Sequence, residues 1–244
     1  MRTSTALAIP ILLLATACTS PGVDRPATPD AAAQTPAAMT VEDAPRPQHT
    51  FDRAARSTVD AASIWVVVNK KHPIAPDYRP DIALVRGYQV ATPAAGPLTD
   101  LLDDSDGQGL GFKIASAYRS HGYQAGVYGN VVAASGQAAA DRVSARPGHS
   151  EHQTGLAVDL VTPASPGCDF EACFAGTPGG RWLARNAWRH GFVVRYLPGN
   201  EAVTGYSPEP WHLRFVGRQL AAELRRTHTD TLEEFFDITG GDYP

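Results

Sequence analysis

The chain has 244 residues, enough for one sizeable domain or two small ones. With 43% hydrophobic and 8% aromatic residues, its composition is that of a globular protein able to fill a core. A net charge of −4, with no basic block interleaved with aromatics, offers no electrostatic footprint for nucleic acid.

Taken in chain order, Arg2 and the apolar run at residues 6–15 have the form of a secretory signal too short to span a bilayer. The ending Ala15-Thr16-Ala17-Cys18 also has the form of a lipoprotein signal, with ordinary cleavage near Ala17 as the alternative. The expectation is an exported chain, lipid-anchored through Cys18 to the outer face of the cytoplasmic membrane or cell envelope. Residues 19–50 are rich in Pro, Ala, Thr and Asp without apolar periodicity, the composition of a flexible tether. Residues 51–244 would then form the domain.

Within that domain, residues 62–70 begin an apolar segment that runs into a Pro-punctuated extended stretch. Residues 83–90 and 112–118 read as strands, and 123–135 as a helix with Gly136 just past its end, where glycine fits a left-handed cap. Residues 157–162 read as a strand. Thr177 is placed to cap a helix reaching Arg189 and closed by Gly191. Residues 192–196 and 211–216 are further strands, 218–226 a helix, and 233–237 a last turn. Helices before and among short strands predict a single compact α+β domain, with a small, mostly antiparallel sheet flanked by helices. Cys168 and Cys173 are close enough to close a disulfide loop in an oxidising compartment, two free thiols being the alternative.

Two stretches carry chemistry. In residues 150–159, His152 lies in a Gly-containing turn and Asp159 follows on an apolar strand. An ionised Asp beside Val158, Leu160 and Val161 is costly to bury without a partner. A metal ion shared with His152 is one such partner, and backbone amides are another. In residues 208–215, Glu209 and His212 sit three apart at the mouth of a strand. His152, Asp159 and His212 would make a three-ligand zinc set that leaves a position for water, with Glu209 free to take a proton. Taken alone, the second segment is equally a surface Glu and a half-buried His beside a core Trp. His149-Ser150-Glu151 with Cys168 and Cys173 superficially matches a zinc-deaminase pattern, but Gly167 and the four-residue gap between the cysteines break it.

Together the stretches resemble the VanY-type D-alanyl-D-alanine carboxypeptidases, whose signature is Ser-x-His-x-x-Gly-x-Ala-x-Asp followed by Glu-Pro-Trp-His. The resemblance extends to Val68-Asn69-Lys70 with Pro73, Tyr78 and Pro80, and to residues 116–120 followed by Tyr123-Gln124. It implies that His152, Asp159 and His212 bind zinc and that Glu209 is the catalytic acid/base. It further implies that Arg119 binds substrate and assists catalysis, that Gln124 and Ser150 contact the peptide, and that Tyr196 lines the pocket. The implied function is removal of the C-terminal D-alanine from peptidoglycan stem peptides ending in D-alanyl-D-alanine. The alternatives are an L,D-carboxypeptidase acting on tetrapeptide stems, a non-catalytic peptidoglycan-binding lipoprotein and, with least use for Glu209, a metal-buffering protein. The insertion between Cys168 and Cys173 departs from the family pattern and bears on the rim of the cleft.

Overall fold

The computed structural model describes residues 50–244. The signal, Cys18 and all of the tether except Thr50 lie outside the described residues. Among the described residues, no helix is long and apolar enough to cross a membrane.

The domain opens with an irregular segment in which Trp65, Val66, Val67 and Val68 are all buried. Successive side chains point to opposite sides, as in an extended chain. Trp65 and Val67 join a cluster with Val216, Leu220 and Leu224, while Val66 and Val68 join the main core with Leu98, Phe112 and Leu160. One extended segment therefore staples two cores together.

Next come β1 (Ile82–Val85) and β2 (Tyr88–Ala91), an antiparallel hairpin where the sequence predicts one continuous strand. Arg86 and Gly87 have φ of 49° and 88°, the paired positive values of a tight two-residue hairpin turn. Helix α1 (Thr92–Gly107) was not anticipated. Pro97 and a cluster of aspartates disguise it, but Pro93 sits harmlessly in the first turn, and Leu98, Leu101, Leu102 and Ser105 bury one face.

Strand β3 (Lys113–Ser116) leads to α2 (His121–Ser135), whose first turn is capped by Ser120 Oγ accepting from Tyr123 N. Gly136, at φ 80° and ψ 161°, does not take the left-handed helical cap expected of it; it swings the chain directly into α3 (Gln137–Val143). Strand β4 (Ala157–Val161) follows. Thr177 caps α4 (Pro178–Asn186) as predicted, and a 3-10 turn at Ala187–His190 carries the chain on to Gly191 at φ 82°. The remaining elements are β5 (Phe192–Tyr196), α5 (Glu201–Thr204), β6 (Glu209–Phe215), α6 (Arg218–Thr227) and α7 (Leu232–Phe236).

Four strands form an antiparallel sheet in the order β3-β4-β6-β5, so the α+β expectation holds. Strand β6 begins two residues earlier than predicted, which places Glu209 on the sheet itself. The sheet is joined to the hairpin at Gly155, whose carbonyl accepts from Ala91 N at 2.8 Å. Gly155 has φ 69°, and a Cβ there would lie 2.8 Å from that same nitrogen. Gly155→Ala should therefore destabilise the fold by about 1–3 kcal/mol. That corresponds to a midpoint lowered by about 2–4 °C per kcal/mol in a thermal melt, and an unchanged melt would show that this turn is not tight.

Candidate functional site

The sheet register assembles the site. Asp159 on β4 is paired with Ser116 on β3 and with His212 on β6. Directly opposed residues share a face, so Asp159 and His212 are brought side by side by backbone pairing alone. Glu209 pairs with Tyr196 across β5 and β6, after a register shift between Val194 and Tyr196. His152 comes from a short 3-10 turn, Glu151–Thr154, that enters β4 through Gly155.

His152 Nδ1 lies 2.7 Å from the Ala117 carbonyl, which accepts its proton and leaves Nε2 as the free lone pair. That Nε2 lies 3.2 Å from Asp159 Oδ2, and His212 Nδ1 lies 3.1 Å from Asp159 Oδ1. Ligand atoms from the three residues all fall within 4.8 Å of one another, and all three side chains are buried. Despite its close approach to His212, Asp159 Oδ1 makes no hydrogen bond. A buried carboxylate oxygen left in that state is costly unless a cation takes it. Two imidazole nitrogens and one carboxylate oxygen form the donor set of catalytic zinc, so the residues fit a divalent ion of that kind.

Electrostatics point the same way. Burial holds His152 down at about 4, with the Arg119 charge adding to the effect, so its imidazole is neutral and able to ligate. Burial opposes the charge of Asp159, yet His152 and His212 outweigh it and keep the carboxyl well below its usual range. Burial also opposes a charge on His212, but the adjacent carboxylates of Asp159 and Glu151 overcome it and lift the ring to about 9. A dication at this point would take over that electrostatic role and expel the proton from Nδ1. Burial pushes Glu209 up to about 7. Its Oε2 stands 3.6 Å from His212 Nδ1, beside the cluster.

Arg119 reaches the same centre, with NH1 3.6 Å from Asp159 Oδ2. It is held there by Ser116 Oγ at 2.6 Å and Gln124 Oε1 at 2.9 Å. Gln124 thus stands behind Arg119: it is buried, its Nε2 donates to the Ala145 carbonyl, and it does not line the cleft. Its amide is committed at both ends, the oxygen to Arg119 and the nitrogen to the Ala145 carbonyl, which fixes the guanidinium in place. Ser150 and Tyr196 do line the cleft, a cavity of about 480 Å³, together with Arg119, Glu209 and the three candidate ligands. The Tyr196 ring packs 5.0 Å from that of His212.

Sequence reasoning missed Glu151. Its carboxylate has none of its side chain exposed, accepts from Arg195 Nε at 2.8 Å and Arg214 NH1 at 2.9 Å, and lies 3.2 Å from His212 Nε2. Burial works against its charge, but Arg195 and Arg214 hold the carboxyl far below its normal range. Accepting from Nε2 leaves Nδ1 of His212 to face Asp159, the arrangement by which an outer carboxylate orients a metal-binding histidine. Its position between Ser150 and His152 was the available signal. Its partners, 44 and 63 residues away, were not legible.

Residues 87–218 match the family described as VanY, D-alanyl-D-alanine carboxypeptidase. A putative carboxypeptidase of Bacillus subtilis, YodJ, is 33% identical over 72% of this chain, and the chain spans 67% of its length. The solved LD-carboxypeptidase LdcB superposes with a TM-score of 0.66 at 32% identity, covering 74% of this chain and 89% of that one. A vancomycin-resistance D,D-pentapeptidase VanY in complex with Zn(II) superposes with a TM-score of 0.61 at 33% identity, over 71% of this chain and 98% of that one.

Removing the outer carboxylate should be felt at the metal. Glu151→Gln, if folded by circular dichroism, should weaken zinc binding by about 10–100-fold in a competition with a chromogenic chelator. Affinity equal to that of the parent would mean that Glu151 does not orient His212. Glu151→Ala, which leaves the buried Arg214 guanidinium without its carboxylate partner and takes one of two from Arg195, should cost about 3–5 kcal/mol of stability.

Proposed function

The chain belongs to the VanY family of D-alanyl-D-alanine carboxypeptidases, and on that premise we propose that it is a zinc-dependent peptidase that removes the C-terminal D-alanine from peptidoglycan stem peptides. The observation that carries this reading is the convergence of ligand atoms from His152, Asp159 and His212 within 4.8 Å, with the Glu209 carboxylate at its edge.

Zinc held by these three residues would supply Lewis-acid polarisation of the scissile carbonyl and acidify water from a pKa of 15.7 toward about 7. The protein's own groups do the rest. Glu209 accepts a proton from the attacking water and delivers it to the departing amine of D-alanine. Arg119, clamped by Ser116 and Gln124, brings a fixed positive charge to within reach of the negative charge that develops on the substrate. The buried phenol of Tyr196, its ionisation pushed well above the usual range by burial, stays neutral and closes the floor beside His212. Ser150 on the cleft wall is placed to meet the peptide.

We also propose that the enzyme works outside the cytoplasm, anchored through Cys18. The leader-like residues 1–18 and the tether composition of residues 19–50 support this reading. The disulfide between Cys168 and Cys173 suits an oxidising compartment.

Glu209→Gln should keep its zinc by metal analysis while kcat on an acylated D-alanyl-D-alanine peptide falls about 10²–10⁴-fold. Dialysis against a chelator should abolish release of D-alanine, and added zinc should restore it. Mass spectrometry of products from tetrapeptide and pentapeptide stems, run side by side, separates the D,D from the L,D reaction. A Glu209→Gln enzyme turning over at the parent's rate would remove Glu209 from the proton-transfer role.

A further inference from the structure

The catalytic groups occupy only part of the cleft. Beyond them one part of its lining is apolar: Val127 and Val131, four apart on one face of α2, then Val143 at the end of α3, then Trp211 and Phe170. A terminal pair of alanines has only methyl side chains, and a cleft of about 480 Å³ falls within the range of about 300–1,000 Å³ that encloses much larger ligands.

Phe170 is the unusual member. It is a large apolar residue left 50% exposed, and its φ of 58° is a left-handed conformation that bulky side chains rarely adopt. Such a geometry persists where the surroundings over-determine it, and it concentrates at ligand clamps. Here the surroundings are explicit. The Cys168–Cys173 bridge closes a five-residue separation around Phe170, with Cα atoms 5.3 Å apart. Fully buried Phe174 anchors the loop just beyond it. The Phe170 ring meets Trp211 edge-on at 5.8 Å, and Trp211 directly precedes His212 on β6. The disulfide loop thus delivers an exposed aromatic to the wall next to the reacting centre.

We propose that Phe170, fixed by the Cys168–Cys173 bridge against Trp211, is a specificity-determining residue that receives the methylene portion of a long side chain on the stem residue preceding the terminal D-alanyl-D-alanine. This rests on the peptidase reading above and names which peptides that site prefers. The enzyme selects extended stems with a long side chain at that position over stems of equal length with a short one.

The zinc-loaded enzyme is assayed on two acylated tripeptides, N-acetyl-L-lysyl-D-alanyl-D-alanine and N-acetyl-L-alanyl-D-alanyl-D-alanine. The parent should cleave both, the lysyl peptide with the higher kcat/KM. Phe170→Ala, on an exposed loop and so expected to fold, should lose about tenfold in kcat/KM on the lysyl peptide, mainly through KM, with little change on the alanyl peptide. The Cys168→Ser, Cys173→Ser double variant should lose the same selectivity, as should the parent after reduction. Equal losses on both peptides, or no preference in the parent, would overturn the assignment to Phe170. Selectivity retained without the bridge would overturn the role given to the disulfide. A parent that cleaves neither peptide would instead defeat the D,D-carboxypeptidase reading on which the inference stands.

Discussion

Glu151 is a carboxylate sealed from water, and its two oxygens are shared among three cationic or hydrogen-donating side chains from the sheet. Arg195 comes from β5, and Arg214 and His212 come from β6. Arg195 is doubly bonded to Glu233 at the start of α7, at 2.9 and 2.7 Å, and Glu233 also accepts from Asn69 Nδ2 at 3.1 Å. Arg214 NH2 donates to the Ile64 and Val66 carbonyls in the opening segment. Two acids and two guanidiniums balance formally, so the network tolerates burial, whereas removing one member would leave an uncompensated charge in the core. The turn bearing His152, strands β5 and β6, the last helix and the first buried segment are all tied to one group.

That network explains why a metal site can be built from distant parts of the chain. Backbone pairing sets Asp159 against His212 but does not choose which imidazole nitrogen faces it. Glu151 at Nε2 makes the choice for His212, and the Ala117 carbonyl at Nδ1 makes it for His152. The two histidines therefore present opposite nitrogens to one carboxylate, their rings 4.9 Å apart and nearly perpendicular. Arg119 is positioned in the same indirect way, by Ser116 and Gln124. The reacting groups are set by neighbours that do not themselves meet the substrate.

Much of this was readable from local chemistry. The apolar run around Asp159 marked β4, and Thr177 marked the start of α4, because each signal lies within a few residues of what it specifies. The Arg86-Gly87 turn went unread because an alternating run continues through it. Helix α1 went unread because Pro97 and the aspartates argue against a helix locally, while burial of Leu98, Leu101 and Leu102 decides for it globally. His152, Asp159, Glu209 and His212 were legible as residue types at motif spacing. Glu151, Arg195, Arg214 and Glu233 were not, since charged side chains are expected on the surface and only the tertiary fold shows them paired inside.

His152 Nε2, Asp159 and His212 Nδ1 converge as the holders of one divalent ion. A crystal structure of the zinc-loaded protein, with anomalous data collected at the zinc edge, tests this most directly. A single strong peak is expected among those three atoms, with bonds of about 2.0–2.2 Å and Glu209 outside the coordination sphere. A peak elsewhere in the molecule, or zinc bound through His212 Nε2 in place of Glu151, would contradict it.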